Sequence, residues 1–234
     1  MVGVDEGDAT IRAYQQRMEA YLAADHEPPQ HVLDWQGRFA ALVGTGGTVL
    51  ELGSGPGRDA ERLESLGLRV LRSDATPAFV ERLRALGHEV LDVDIRSDPL
   101  PAPLDGVFAN AVLLHLHRDT LPSVLFRIGG ALRPGGILAT SLKEGDGEEW
   151  HDRTLGAPRY FTYWREVPLR AALVAAGFEI VSIEHARGAA DDWLYVTARF
   201  ASARDGGPDA SGSEPIVAGG TQQRPLPVGG CVQH

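Results

Sequence analysis

The spacing of apolar residues predicts that helices and strands alternate along most of this chain. Short apolar runs at residues 49–52 and 104–109 have the length and composition of buried strands. Other segments, such as 119–132, carry apolar residues at three- and four-residue steps, which is the spacing of an amphipathic helix. Alternating strands and helices of this kind indicate an α/β fold built on a mostly parallel sheet.

The same patterns place the remaining elements. Further helices are predicted at residues 10–24, 31–43, 58–66, 77–86 and 165–176, and further strands at 68–73, 88–93 and 137–141. Two alternating runs, 178–184 and 193–200, predict an antiparallel hairpin at the end of the sheet. Residues 201–234 are dominated by glycine, proline, serine and polar residues, which predicts a disordered tail. We therefore expect one domain over residues 10–200, preceded by a flexible N-terminus at residues 1–9.

Amino-acid composition disfavours several classes of binding partner and site. The formal net charge is −10 and no basic run occurs, which disfavours binding to nucleic acid through its phosphates. The single cysteine, Cys231, excludes an internal disulfide framework and a cysteine-rich metal site. The acidic start lacks the apolar core of a signal peptide, and no apolar run approaches the roughly 18 residues of a membrane span. These features predict a soluble cytoplasmic protein.

Three glycines follow the first predicted strand at alternate positions, Gly53, Gly55 and Gly57, and a helix begins directly after them. Glycine reaches backbone angles closed to other residues and leaves no side chain between the main chain and a ligand. A strand, a glycine turn and a helix N-terminus together form a pocket for a nucleotide-like ligand. The third glycine comes one residue earlier than in the dinucleotide fingerprint, and Glu51 precedes the loop. An acid there suits a ligand with positive charge and an amino group better than a pyrophosphate.

Two later segments place polar groups at strand ends. Asp74 ends the second predicted strand, where a carboxylate can accept hydrogen bonds from both hydroxyls of a ribose. His115 follows the fourth strand and could act as a general base or contact a substrate, because imidazole titrates near neutrality. The alternative is a structural histidine bonded to backbone. His115 and His117 have a spacing found in metal sites, but no third ligand lies nearby, and we predict no metal.

The glycine loop with Glu51 resembles motif I of the class I S-adenosylmethionine (SAM) dependent methyltransferases. The segment LRPGG at residues 132–136, which predicts a proline-glycine turn between a helix and a strand, and the segment AGFE at 176–179 are also typical of that family. Residues 110–116 resemble its motif IV and the turn after it, with Leu114 in place of a familiar histidine. Residues 143–164 resemble a bacterial branch of the small type 11 methyltransferases. The resemblance covers residues 10–200 and implies a doubly wound, Rossmann-like sheet of seven strands, with a helical lid at 10–43.

The resemblance also implies roles for individual residues. The methionine part of SAM is expected at Glu51 and the loop, the ribose at Asp74, and the adenine at Asp94 and the N–H of Ile95. Asp92 competes with Asp94 for that role, and Asn110 offers its backbone near the methyl donor. The predicted cofactor-binding residues are Glu51, Gly53, Ser54, Gly55, Gly57, Asp74, Asp94, Ile95 and Asn110. The candidate catalytic residues are His115, then Tyr14 and Tyr21 on the lid, with Glu148 behind them. The two tyrosines are equally well interpreted as core aromatics.

Residues 143–164 form a long connection that is rich in aromatic residues, and long connections are usually functional. We predict that Tyr160, Phe161, Tyr163 and Trp164 are the walls of the substrate site; alternatively they cap the edge of the sheet. The expected activity is SAM-dependent methylation of a small aromatic or heterocyclic acceptor, of the kind found in natural products, with indole among the fitting rings. The lack of a basic surface favours a neutral acceptor. The competing hypotheses are an NAD(P)-dependent Rossmann oxidoreductase and a protein that binds SAM without catalysis.

Overall fold

A twisted sheet of seven strands organises the computed structural model, which describes residues 5–24, 27–153 and 155–201. The strands lie in the order β3-β2-β1-β4-β5-β9-β8. Their bounds are Thr48–Leu52 (β1), Arg69–Asp74 (β2), Val90–Asp92 (β3), Leu104–Ala109 (β4), Leu132–Glu144 (β5), Glu148–His151 (β6), Arg159–Thr162 (β7), Phe178–Arg187 (β8) and Asp192–Phe200 (β9). Strands β6 and β7 form a separate two-stranded sheet. Residues 202–234 of the tail predicted at 201–234 and the first four residues lie outside the described residues.

Strands β1 to β5 pair in parallel, whereas β9 is antiparallel to both β5 and β8. The predicted fold class and the closing antiparallel hairpin are therefore confirmed. The strand order reverses between β1 and β4, and ligands of open α/β sheets bind outside the carboxyl ends of the strands at such a point.

Helices cover both faces of this sheet. Their bounds are Glu6–Ala23 (α1), Gln30–Val43 (α2), Arg58–Ser65 (α3), Pro77–Ala85 (α4), Leu121–Ala131 (α5) and Glu166–Ala175 (α6), with a short 3₁₀ helix at Leu113–His115. Helices α5 and α6 bury Leu125, Ile128 and Leu173 in the larger apolar core. None of these described helices is long and apolar enough to cross a membrane.

The two N-terminal helices differ in their surroundings, although one lid was expected from both. Helix α2 packs on the sheet, where the rings of Trp35 and Phe39 lie 4.8 and 5.3 Å from the ring of Phe108. The indole N–H of Trp35 donates to Thr197 Oγ1 at 3.2 Å. Helix α1 instead runs along the carboxyl edge of the sheet. It begins before the predicted residue 10 because the Asp5 side chain caps it, accepting from the backbone N–H of Asp8 at 3.1 Å.

Two predicted connections are strands in the structure. The LRPGG segment was expected to be a turn, but β5 already pairs with β4 at Leu132 and resumes regular pairing at Ile137. The residues between them bulge, and Gly135 takes the left-handed backbone that this requires, with φ of 83°. The long connection at 143–164 contains the antiparallel pair β6 and β7. Its prediction as one loop was wrong, because β6 is mostly exposed and lacks apolar alternation.

Candidate active site

A cavity of about 320 Å³ opens at the carboxyl edge of the sheet, a size typical of small-molecule sites. It lies among helix α1, the loops that follow β1 to β4, and residues of β5 and β7. Ten predicted site residues line it: Tyr14, Tyr21, Gly53, Gly55, Asp74, Asp94, Ile95, Asn110, His115 and Phe161. Six others lie outside the lining: Glu51, Ser54, Gly57, Tyr160, Tyr163 and Trp164.

The loop after β1 needs glycine for two physical reasons. Gly53, Gly55 and Gly57 all have left-handed backbone, with φ of 66°, 49° and 96°. A Cβ atom on Gly53 would also lie 2.6 Å from Val112 Cγ2, closer than two carbons can approach. Gly57 begins α3. The loop therefore presents backbone, rather than side chains, to the cavity at Gly53 and Gly55.

Glu51 lies beneath this loop. Its carboxylate accepts a short hydrogen bond from the Ser54 hydroxyl, and the Ser54 Oγ in turn accepts from the backbone N–H of Ser73 at 3.2 Å. The Ser73 hydroxyl donates to the Glu51 carbonyl at 2.6 Å. Burial and the nearby Asp59 carboxylate raise the pKa of Glu51 to about 8. Glu51 and Ser54 thus fix the loop to β1 and β2 from below.

Asp74 connects the end of β2 to the same loop. Its carboxylate accepts from the backbone N–H of Gly55 at 2.9 Å and from that of Thr76 at 2.7 Å. Burial raises the pKa of Asp74, and the two backbone hydrogen bonds oppose that rise. A carboxylate oxygen accepts at more than one lone pair, so each oxygen retains capacity for a ligand hydroxyl.

Asp94 and Ile95 follow β3 and line the cavity, whereas the competing Asp92 is exposed in β3. The Arg96 guanidinium donates to both carboxylate oxygens of Asp94, with the Nε hydrogen bonds at 2.9 and 3.0 Å. Burial raises the pKa of Asp94, but these hydrogen bonds outweigh it and the pKa is lowered. Arg96 also pairs with Asp8, at 2.6 Å, and with Asp5. It therefore joins the start of α1 to this rim of the cavity, a role that no sequence pattern indicated.

Asn110 is held by a hydrogen-bonded chain at the end of β4. Its amide oxygen accepts from the Ser141 hydroxyl at 2.7 Å, and its amide nitrogen donates to Asp59 Oδ2 at 2.9 Å. Ser141 Oγ also accepts from the backbone N–H of Ala111 at 2.8 Å. Ala111 has left-handed backbone, φ 57°, which is unfavourable for a residue with a Cβ. Such strain is retained where surrounding contacts enforce it, often at functional sites.

His115, Tyr14 and Arg159 form a second hydrogen-bonded chain. His115 Nδ1 lies 2.7 Å from the Tyr160 carbonyl oxygen, which can only accept, so Nδ1 carries a proton. Nε2 of the neutral ring then accepts from the Tyr14 hydroxyl at 2.9 Å, and Arg159 donates to that hydroxyl at 2.9 Å. Burial and the cations Arg159 and Lys143 lower the pKa of His115 to about 3. The ring is therefore neutral and bonded at both nitrogens.

Lys143 and Arg159 are buried cations that line the cavity beside Phe161. The Lys143 Nζ atom lies 4.0 Å, and the Arg159 Cζ atom 5.2 Å, from the centre of the Phe161 ring. Lys143 also forms an ion pair with Asp191 at 2.7 Å. Sequence reasoning missed both cations, because basic side chains are normally exposed and these two lie in different strands.

Of the remaining predicted aromatics, Tyr160, Tyr163 and Trp164 lie outside the cavity lining, whereas Tyr21 belongs to it. The Tyr160 ring stacks on His117, with centroids 6.2 Å apart, and Trp164 belongs to the apolar core. The Tyr163 hydroxyl donates to Glu149 at 2.7 Å. Tyr21 makes an edge contact with the Tyr14 ring, with 5.5 Å between centroids. Among the described residues no group of three or more potential metal ligands occurs.

Comparison with known proteins favours a methyltransferase over an NAD(P)-dependent oxidoreductase. Residues 49–136 match the family model described as "Methyltransferase domain". Over these residues the chain is similar to methyltransferases. The matched region runs from β1 to the LRPGG segment and includes the glycine loop, Asp74, Asp94 and Asn110. The resemblance inferred from those motifs is confirmed.

Named relatives and solved structures that resemble this chain are also methyltransferases. The chain is 34% identical over 110 residues to trans-aconitate 2-methyltransferase of Azoarcus sp., a match that covers 44% of this chain and 42% of the relative. The structure of 1,6-didemethyltoxoflavin-N1-methyltransferase of Burkholderia thailandensis, with bound 1,6-didemethyltoxoflavin and S-adenosylhomocysteine, aligns with a TM-score of 0.67 at 23% identity, covering 86% of this chain and 92% of that one. Magnesium protoporphyrin IX methyltransferase of Synechocystis with bound SAM aligns with a TM-score of 0.68 at 14% identity, covering 85% and 99%. These structures share the fold of the methyltransferase domain.

Proposed function

We propose that this protein is a SAM-dependent methyltransferase that acts on a small molecule. The observation that carries the proposal is the convergence, at one cavity, of the glycine loop, Asp74, Asp94 and Asn110 from the ends of four neighbouring parallel strands. Two structural neighbours are crystallised with SAM or S-adenosylhomocysteine (SAH), which supports the same cofactor here. The domain limits, the cytoplasmic location and the absence of nucleic-acid binding are predictions from the sequence.

Different residues of the cavity would contact the methionine part, the ribose and the adenine of SAM. The backbone of Gly53 and Gly55 would approach the methionine part, the free lone pairs of Asp74 would accept from the ribose hydroxyls, and Asp94 with Ile95 would border the adenine. When bound, SAM supplies a methyl group on a positively charged sulfur. The protein then has mainly to align a nucleophile with that methyl, and orientation alone can contribute about 7–11 kcal/mol toward the barrier.

We assign His115 a positioning role toward Tyr14 rather than the role of general base. A base with a pKa of about 3 is weak at neutral pH, and both ring nitrogens are already hydrogen-bonded within the protein. His115 holds the Tyr14 hydroxyl, and that hydroxyl accepts from Arg159. Tyr14 and Tyr21 line the cavity and would contact ligand directly.

The acceptor part of the cavity suits a flat molecule, in line with the aromatic or heterocyclic acceptor proposed from the sequence. Its apolar walls include Phe161, Phe79, Trp193 and the ring of Tyr14. The names of similar proteins cover a planar heterocycle and trans-aconitate, an unsaturated tricarboxylate. Methylation of a natural product with such a planar skeleton is the activity we propose.

Two measurements test the proposed function against its competitors. SAH and NADH are added separately to the full chain, and the melting temperature is measured; we expect SAH alone to raise it. Stabilisation by NADH alone would instead favour an oxidoreductase. SAH release from SAM over a panel of planar acceptors separates an enzyme from a protein that only binds the cofactor, and no release above background would contradict catalysis.

A further inference from the structure

We propose that the acceptor carries a carboxylate and that Arg159 and Lys143 hold it in the cavity. The inference rests on the proposed methyltransferase function and names the charge of its substrate. It departs from the neutral acceptor that the acidic composition suggested, because the two cations lie apart in sequence and are buried in the fold.

The first support is the position of the two cations. Arg159 and Lys143 are each 5% exposed, yet both line the cavity. Transfer of a charged group from water into a protein interior is costly unless counter-charges or hydrogen bonds compensate it. Lys143 already pairs with Asp191 and Arg159 donates to Tyr14, and a ligand carboxylate would add to these contacts, because a guanidinium with its planar array of N–H donors matches the two oxygens of a carboxylate.

The second support is the rigidity of the cationic wall. The Arg159 guanidinium lies 5.2 Å from the centres of both the Tyr14 and Phe161 rings and donates to the Tyr14 hydroxyl. The Lys143 ammonium lies over Phe161 and is bonded to Asp191 and to His151 Nε2, the latter at 3.1 Å. Groups held in advance lose little conformational entropy when a ligand binds.

The third support is the distribution of charge around the cavity. The lining acids Asp74, at the end of β2, and Asp94, after β3 and paired with the lining cation Arg96, lie on the side assigned to the nucleoside. Lys143 and Arg159 belong to β5 and β7 and share the rest of the lining with one acid, Asp191, which pairs with Lys143. Their N–H donors give this part of the cavity a cationic lining, which favours an anionic group in the ligand.

We assign this carboxylate the role of anchor. Two neighbouring cations stabilise an anion and reduce its reactivity as a nucleophile, so the anchored group would orient the acceptor while another atom faces the methyl donor. Trans-aconitate is a suitable probe because it is planar and carries three carboxylates.

The test measures binding of trans-aconitate and of its trimethyl ester to the SAH-loaded full chain by calorimetry. Benzoate and indole-3-acetate, each paired with its methyl ester, extend the comparison to other skeletons. We expect at least one acid to bind at least tenfold more tightly than its ester. Arg159→Gln should lower the affinity for that acid at least tenfold while leaving the affinity for SAH unchanged. Arg159→Lys should restore part of the affinity for the acid. Lys143→Gln should also lower the affinity for the acid. Arg82→Gln, which removes the same charge from an exposed helix position, is the matched control.

The outcomes separate this inference from the function on which it rests. Failure of the wild-type chain to bind SAH would contradict the proposed function itself. If SAH binds but no acid exceeds its ester, or if Arg159→Gln and Lys143→Gln both leave acid binding unchanged, the carboxylate proposal is wrong. Weakened SAH binding in a folded Arg159→Gln variant would also overturn it, because the cation would then serve the cofactor. Should Arg159→Gln not fold, as judged by its melting temperature, Arg159→Lys and Lys143→Gln decide the result.

Discussion

Replacement of Glu51 by glutamine should make the protein less sensitive to alkaline pH. Glu51 is buried beneath the glycine loop, and its pKa is raised from 4.5 to about 8 by burial and by Asp59. The folded chain therefore holds this proton more tightly than the unfolded chain does. Its contribution to stability is fully present below pH 4.5 and is lost as the pH rises through about 8. Glutamine keeps an oxygen that can accept from the Ser54 hydroxyl but does not ionise.

The size of the effect follows from the pKa difference. A shift from 4.5 to about 8 corresponds to about 5 kcal/mol at pH values above both. About half of that falls between pH 6 and pH 9, so the free energy of unfolding of the wild type should drop by about 2–3 kcal/mol more than that of Glu51→Gln over this interval. The other titratable groups are the same in the wild type and in Glu51→Gln. Their contribution to the pH dependence of the unfolding free energy therefore cancels when the two proteins are compared.

Urea denaturation of both proteins at pH 6, 7, 8 and 9 provides the measurement, with unfolding followed by tryptophan fluorescence and circular dichroism. Glu179→Gln, at an exposed position of β8, is the matched control and should follow the wild type. Parallel stability curves for the wild type and Glu51→Gln would refute the reasoning, because they would show that Glu51 is ionised in the fold at neutral pH.

Three further predictions concern the cavity. Asp74→Ala should weaken SAH binding at least tenfold by calorimetry, because both the loop N–H of Gly55 and the ribose lose their acceptor; unchanged affinity would remove Asp74 from the site. The pH profile of kcat/KM should show no inflection near pH 6.5 from His115, whose pKa is lowered to about 3 by burial; an inflection that disappears in His115→Asn would contradict its neutral state. Arg96→Leu should speed hydrogen exchange at the start of α1 by at least tenfold, because the ion pairs to Asp5 and Asp8 are lost. Equal exchange rates in the two proteins would show that packing alone fixes this helix.

The sequence was sufficient for the sheet and for the meeting of Gly53, Gly55, Asp74 and Asp94 at one cavity, because both depend on local patterns. Gly53 and Gly55 need left-handed backbone, and Asp74 and Asp94 follow strands whose carboxyl ends meet at one edge. Once the strands are recognised, the topology brings these residues together.

The part of the cavity around Lys143, Arg159 and Tyr14 could not be predicted in the same way. Tertiary packing of β5, β7 and α1 brings together Lys143, Arg159 and Tyr14. No spacing in the sequence indicates that these side chains lie close to one another. The alternation that identifies a half-buried strand is absent from β7, where all four residues are buried. Glu51 was expected to contact the ligand from its position beside the loop, but its bond with Ser54 directs it beneath the loop instead.

A crystal structure of the full chain with SAH tests the central claim most directly. We expect one nucleoside in the cavity, with its ribose hydroxyls within hydrogen-bond distance of Asp74 and its sulfur facing the wall formed by Phe161 and Arg159. An empty cavity at saturating SAH, or a nucleoside bound elsewhere on the domain, would contradict it.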